Sequence, residues 1–364
     1  MPLLLPDRKM NPLAAPISEK RAPSSGASPW GRGDEQSERC LPDELYIEVT
    51  NRCNSRCQTC VRTFETLEPL RDLTLDEYRA LVDQAPGLRR AVLHGVGEPL
   101  LNRDLPAMIA HLKGRPDPPQ VLFNSNALLL TPRWQEALLE TGLDEFRIST
   151  DAADGELYAC IRGVDGFGRM VENVTAFARR IEGAGRGPRL SLWFTALREN
   201  LASLPELVRL ADRLGVGEVY VQRLVYYEQG LARQAQSLFR AMQAAEELYL
   251  AQAESLAGEL GVTFRASGAT TPRESLISPD GNRRPWSRCR RPSSLIYVTA
   301  NGNVLPCCFS PFTTRDYPRL ILGNAFERPL AEIWNGAAYR RFRDALQTDS
   351  PPDSCDRCGV CWSL

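Results

Sequence analysis

From Leu45 onward the chain alternates short β-rich runs with longer helical ones, and this alternation is what most limits its fold. The candidate strands are Leu45–Val49, Ala91–His94, Gln120–Phe123, Glu145–Ser149, Leu190–Ala196 and Glu218–Leu224. The intervening helical segments have readable starts. Thr74 and Glu77 have the spacing of a capping box, and Thr131-Pro132 sets an N-cap residue before a proline at the first helical position. Six β-then-α units in a row call for parallel strands joined by right-handed helical crossovers. Six are too few to close an eight-unit barrel. The expected fold class is therefore α/β, a partial (β/α)6 barrel of parallel strands with its functional loops at their carboxyl ends.

The flanks read differently. Residues 1–42 scatter Pro2, Pro6, Pro12, Pro16, Pro23 and Pro29 among Ser, Gly and charge, without apolar period, and are expected to be a disordered arm. The barrel core is assigned to 43–265, ending in one long helix over Arg233–Leu260. Residues 267–292, rich in Pro, Gly, Ser and Arg, mark a boundary. Beyond it, 266–364 is expected to form a small α+β domain. There Leu295–Thr299 and Val304–Cys308 flank the hairpin turn Asn301-Gly302-Asn303, followed by a helix over Leu330–Leu346 and a Cys-rich tail.

Composition narrows the chemistry. Eleven Cys stand against two His, which disfavours His-rich zinc sites and Ser-His-Asp catalysis and points to thiolate-bound metal. A net charge of −1 gives no electrostatic case for nucleic acid or an anionic membrane. No run approaches the roughly 18 apolar residues of a membrane span. The expected location is the cytoplasm, where a disulfide framework has no use.

Cys53, Cys57 and Cys60 follow the first strand on a single loop, where α/β folds place active sites. A closed zinc site needs a fourth protein ligand, and no neighbouring Cys or His supplies one. Three thiolates can instead hold a [4Fe–4S] cluster that leaves one iron open to a cofactor. This C-x3-C-x2-C loop resembles the signature of the radical S-adenosylmethionine (SAM) enzymes, and later segments fit the resemblance in order. His94-Gly-Val-Gly-Glu-Pro99 is similar to the family's Gly-Gly-Glu-Pro segment, with Val96 in place of the first glycine, and implies Gly97 and Glu98 near the methionine amino group. Ser125-Asn126 resembles the Thr-Asn-Gly turn, with Ala127 in place of glycine. Ser149 and Asp151 resemble the ribose-contacting positions, Arg162 the arginine that pairs with the cofactor carboxylate, and Gln222 a residue near the adenine.

The C-terminal cysteines have another spacing: Cys289, Cys307-Cys308, then Cys355, Cys358 and Cys361. The stretch from Cys289 through Gly302 to Cys307 resembles the opening of the SPASM domain, and the short remainder its twitch form with one auxiliary [4Fe–4S] cluster. That resemblance implies Cys289, Cys307, Cys355 and Cys358 as ligands, with Cys361 competing for the last place. A zinc ribbon is the alternative, since a hairpin cysteine plus a C-x2-C pair also suits zinc. Cys308 should face away from Cys307, either as a hydrogen-atom donor to a substrate radical or simply packed. Arg283, Arg284, Arg288, Arg290 and Arg291 crowd Cys289, as a neutralising shell for a cluster, a site for an acidic group or a solvated basic face.

The resemblance implies reductive cleavage of SAM to a 5′-deoxyadenosyl radical, with electrons from a flavodoxin- or ferredoxin-type donor. The leading expectation is oxidation or epimerisation of a sugar or aminocyclitol-like small molecule. The second is modification of a ribosomally made peptide by thioether formation, oxidation or epimerisation. A non-catalytic iron–sulfur or zinc scaffold is the third.

Overall fold

The computed structural model describes residues 41–267, 271–277, 284–313, 316–356 and Cys358. The expected arm up to residue 40, together with Cys40, Arg283 and Cys361, lies outside the described residues. Six strands appear where the alternation placed them: β1 (Glu44–Ile47), β2 (Arg90–Val92), β3 (Gln120–Ser125), β4 (Glu145–Ser149), β5 (Arg189–Ala196) and β6 (Glu218–Arg223). They pair in chain order, all parallel.

Four further strands extend the sheet. β7 (Thr263–Ala266) adds in parallel beside β6, and β8 (Leu295–Val298) adds in parallel on the free side of β1, with Leu45 opposite Ile296. β9 (Asn303–Leu305) and β10 (Gly323–Asn324) continue antiparallel from β8. The described residues thus form one ten-stranded sheet, and the C-terminal hairpin prolongs the sheet of the barrel. Gly302 closes the hairpin at φ +81°, a conformation that glycine adopts without steric cost.

Each strand buries one face under the helices. On β4, Phe146 and Ile148 enter the main core while Glu145, Arg147 and Ser149 face the other way. On β5 the core residues are Leu190, Leu192, Phe194 and Ala196. The helix Leu204–Leu214 shows the complementary stripe, burying Leu204, Leu207, Val208, Ala211 and Leu214. The inner face is divided. Under β1, β2, β3, β8 and β9 it is apolar, built from Tyr46, Val92, Leu122, Tyr297 and Leu305. Under β4 and β5 it is polar, with Arg147 forked onto Glu145 and its guanidinium 4.3 Å from the Trp193 ring.

The capping box forms as expected: the Glu77 N–H reaches Thr74 Oγ1 at 3.3 Å and the Thr74 N–H reaches Glu77 Oε2 at 2.9 Å. Two helices differ from expectation. The one drawn over Arg233–Leu260 begins at Ala244, because Ser237 bridges to Leu197 and the Gln243 N–H is capped by Glu246. The one drawn over Leu330–Leu346 divides into Leu330–Trp334 and Ala337–Ala345, with Gly336 in extended backbone between them. Among the described residues no helix is long and apolar enough to cross a membrane.

Candidate active site

The cysteine loop leaves β1 and is fastened to the end of the helix Gly155–Arg162. The Arg56 and Gln58 N–H groups donate to the carbonyls of Arg162 (3.2 Å) and Ile161 (2.7 Å), which the helix itself leaves unpaired. Gly163 makes this approach possible: it sits at φ +63°, and a Cβ there would lie 2.2 Å from the Arg56 carbonyl oxygen. Cys57 is buried, and Cys53 and Cys60 are half-buried. Burial pushes the Cys53 thiol up to about 11 and the Cys60 thiol to about 12. The loop therefore holds neutral thiols until a metal displaces their protons, the behaviour expected of thiolate ligands in a partly desolvated site.

The loop after β2 packs against this one from the side. The Glu98 N–H donates to the Arg52 carbonyl at 2.7 Å, and a Cβ on Gly97 would come within 2.0 Å of the Thr50 carbonyl. Gly95 is equally constrained, with Glu48 Oε2 2.1 Å from its notional Cβ. The two close approaches fall on Gly95 and Gly97, so Val96 between them is accommodated. The buried Glu98 carboxylate accepts from Ser125 Oγ (2.7 Å), the Asn126 N–H (2.8 Å) and the Leu100 N–H (3.1 Å). Asn126 in turn donates to Asn54 Oδ1 and Ser55 Oγ, bracing the cysteine loop. Ala127 occupies φ +59°, so the left-handed turn persists with a residue that pays for it in strain.

Asp151 and Arg162 meet each other. Arg162 Nη1 donates to Asp151 Oδ2 at 2.8 Å, and Asp151 Oδ1 accepts the Thr195 N–H at 2.7 Å. Asp151 therefore holds Arg162, whose Nε is buried without a hydrogen-bond partner. His94 Nδ1 accepts the Asn124 N–H at 3.2 Å. Burial, with Arg147 and Arg90 nearby, lowers its pKa to about 3, so it stands neutral with its proton on Nε2.

These parts meet at one cleft of about 200 Å3. Cys53, Cys57 and Cys60 line it together with Gly97, Glu98, Asn126, Ser149, Asp151, Arg162 and Gln222. Thr195, Phe309 and Phe312 also line it and were not singled out in the sequence. The alternation of β5 points Thr195 inward with Trp193, a signal that was available. The two phenylalanines lie within four residues after the Cys307-Cys308 pair, but nothing local shows that they reach the other site.

A second, much smaller cavity, of about 20 Å3, is lined by Cys289, Cys307, Cys355 and Cys358, with Arg291 and Phe309. Four thiols from three separate stretches of chain converge there, a donor set that suits a cluster closed by protein ligands. Among the described residues no three His, Cys, Asp or Glu side chains gather closely enough for a single metal ion. Phe309 belongs to both cavities and so forms part of the wall between them. Cys308 joins neither. It packs with the apolar cluster of Tyr46, Val92 and Tyr297 and accepts from Arg291 Nη1 at 3.2 Å. Cys160, on the helix Gly155–Arg162, is exposed.

Parallel strands carrying three thiols on the loop after the first, with a second set of four thiols, make a donor arrangement that suits an iron–sulfur protein. The family model for the radical SAM superfamily matches residues 47–211, and that for the SPASM iron–sulfur cluster-binding domain matches 289–359. The chain belongs to the radical SAM superfamily and carries a SPASM domain. Its cofactors are a catalytic [4Fe–4S] cluster, SAM and an auxiliary iron–sulfur cluster; the SPASM match overturns the zinc alternative. The chain is 27% identical to a PqqA peptide cyclase of Granulibacter bethesdensis over 332 residues, 88% of this chain and 81% of that one. It is 26% identical to an AdoMet-dependent heme synthase of Methanosarcina barkeri, covering 88% of each. Among solved structures, Streptococcus suis SuiB bound to S-adenosylmethionine shares the fold with a TM-score of 0.65 at 16% identity, over 90% of this chain and 74% of that one.

Proposed function

We propose that this chain is a peptide-modifying radical SAM enzyme that acts on one C–H bond of a ribosomally made peptide. The observation that carries this reading is the likeness to PqqA peptide cyclases, which spans 88% of the chain. It favours the peptide reading over the oxidation or epimerisation of a sugar or aminocyclitol, the leading expectation from sequence.

When bound, the cluster and SAM supply a 5′-deoxyadenosyl radical; the protein's contribution is placement. In this reading Cys53, Cys57 and Cys60 hold the catalytic cluster. Gly97 and Glu98 lie at the methionine amino end, and Arg162 offers its unpartnered Nε–H to the carboxylate while Asp151 fixes its orientation. Ser149 takes the ribose and Gln222 the adenine. Asn126 keeps the cysteine loop in register with the turn after β3. Phe309 and Phe312 keep water from the reacting end of the cleft. Cys289, Cys307, Cys355 and Cys358 hold the auxiliary cluster, and a flavodoxin- or ferredoxin-type protein delivers the electron.

The test is mass spectrometry of short peptides encoded beside the gene, incubated with reduced, reconstituted protein and SAM. A peptide that loses hydrogen or gains a cross-link, together with 5′-deoxyadenosine, is the expected result. Turnover of an aminocyclitol or a porphyrin with all such peptides unchanged would overturn the reading.

A further inference from the structure

Five arginines crowd Cys289 in the sequence, and the structure sets one of them apart. Arg284 pairs with Asp349 at the surface, and Arg288 and Arg290 are exposed. Arg291 is 8% exposed and lines the cavity of the four thiols. Its guanidinium lies 4.4 Å above the Phe309 ring, and its Nη1 donates to Cys308 Sγ at 3.2 Å. Its Nε is buried with no hydrogen-bond partner. No ion pair among the described residues includes Arg291, and Glu44 on the adjoining strand is already engaged by Arg90 at 3.0 Å.

An arginine carries its charge at every accessible pH. Taking that charge out of water without a counter-ion costs several kcal/mol, so a buried guanidinium with a spare donor calls for an anion beside it. The cavity it lines is where an anion is due, because four thiolates around an iron–sulfur core leave a net negative charge.

We propose that Arg291 is the charge-compensating donor of the auxiliary cluster, supplying a positive charge and the Nε–H on the side facing Phe309, and thereby raises the cluster's reduction potential. The sign follows from electrostatics. Reduction adds an electron to an already anionic group, and a nearby cation favours the more negative state; net charge and hydrogen bonds to sulfur are the terms that set such potentials. Phe309 separates this centre from the reaction cleft, so the potential is tuned where an electron leaving the substrate side would arrive. The inference rests on the auxiliary cluster alone. A different substrate class would leave the measured potentials unchanged.

The test is a redox titration followed by electron paramagnetic resonance, with Cys53, Cys57 and Cys60 all changed to Ala so that only the auxiliary cluster reports. Arg291→Met is expected to lower the reduced-to-oxidised ratio at a fixed potential about tenfold, equivalent to about 59 mV for a one-electron couple. Arg291→Lys, which keeps the charge, is expected to stay within about threefold of the parent. A Met variant within about threefold of the parent, or a Lys variant that falls as far as Met, overturns the proposal. If the Met variant loses its iron, Arg291→Gln replaces it in the same comparison. Iron retained with Lys and lost in both neutral variants supports the charge requirement, and iron lost in all three overturns it.

Discussion

The two cysteine centres solve one problem by opposite means. The first gathers three thiols on eight consecutive residues, Cys53 to Cys60, and steadies them with backbone. Helix-end carbonyls, Gly97 and Gly163 bring neighbouring loops to van der Waals contact or closer than any side chain would allow. The second draws Cys289, Cys307, Cys355 and Cys358 from distant stretches and surrounds them with side chains, among them Arg291 and Phe309. A site that must leave one iron open needs a loop whose path is fixed independently of its metal. A site closed by four protein ligands can leave more of its order to the cluster itself.

The sharpest way to break this contrast is Cys57→Ala. Cleavage of SAM to methionine and 5′-deoxyadenosine should fall below detection, while iron drops from about eight to about four per chain because the other centre remains filled. Unchanged cleavage would remove the first centre from the chemistry. The converse variant, Cys307→Ala, should keep SAM cleavage within about tenfold of the parent yet abolish modified product, since the cofactor-binding cleft stays intact. Normal product from that variant would deny the auxiliary centre a role in turnover.

Gly163→Ala probes the backbone side of the contrast. The left-handed conformation and the 2.2 Å approach to the Arg56 carbonyl should together cost about 2–4 kcal/mol in urea denaturation, with iron lost first from the catalytic centre. Parental stability would show that the loop does not depend on this contact. The smallest expected effect has the opposite sign. Ala127→Gly, at φ +59°, should stabilise the protein by about 0.5–1 kcal/mol with SAM cleavage unaltered. A loss of stability there would mean that the Ala127 methyl, fully buried, contributes more packing than the turn costs.

Much of the first centre was legible because each of its parts follows its own strand: thiols after β1, Glu98 after β2, Asn126 after β3, Asp151 after β4. Order along the chain is order around the cleft. What sequence did not show is how those parts spend their hydrogen bonds. Asp151 and Arg162 were read as two cofactor contacts, yet they pair with each other, a relation that only the folded distance expresses. Cys308 was read from strand alternation, but β9 ends at Leu305, so Cys307 and Cys308 lie beyond the strand; Cys308 packs against apolar core. β7 escaped notice because only Ala266 of its four residues is buried, leaving no hydrophobic run to find. The parallel pairing of β8 with β1 has no local signature at all, since β1 would look the same with either side free.

That last pairing has a consequence in time. The strand that launches the catalytic cysteine loop is flanked by β2, made soon after it, and by β8, made much later along the chain. Until the hairpin arrives, β1 is an edge with its outer N–H and C=O groups unanswered, and contacts of such sequence separation form late and slowly. A nascent chain therefore presents its three thiols before their strand is clamped. A cluster delivered before β8 emerges would meet a loop whose launching strand is still an open edge.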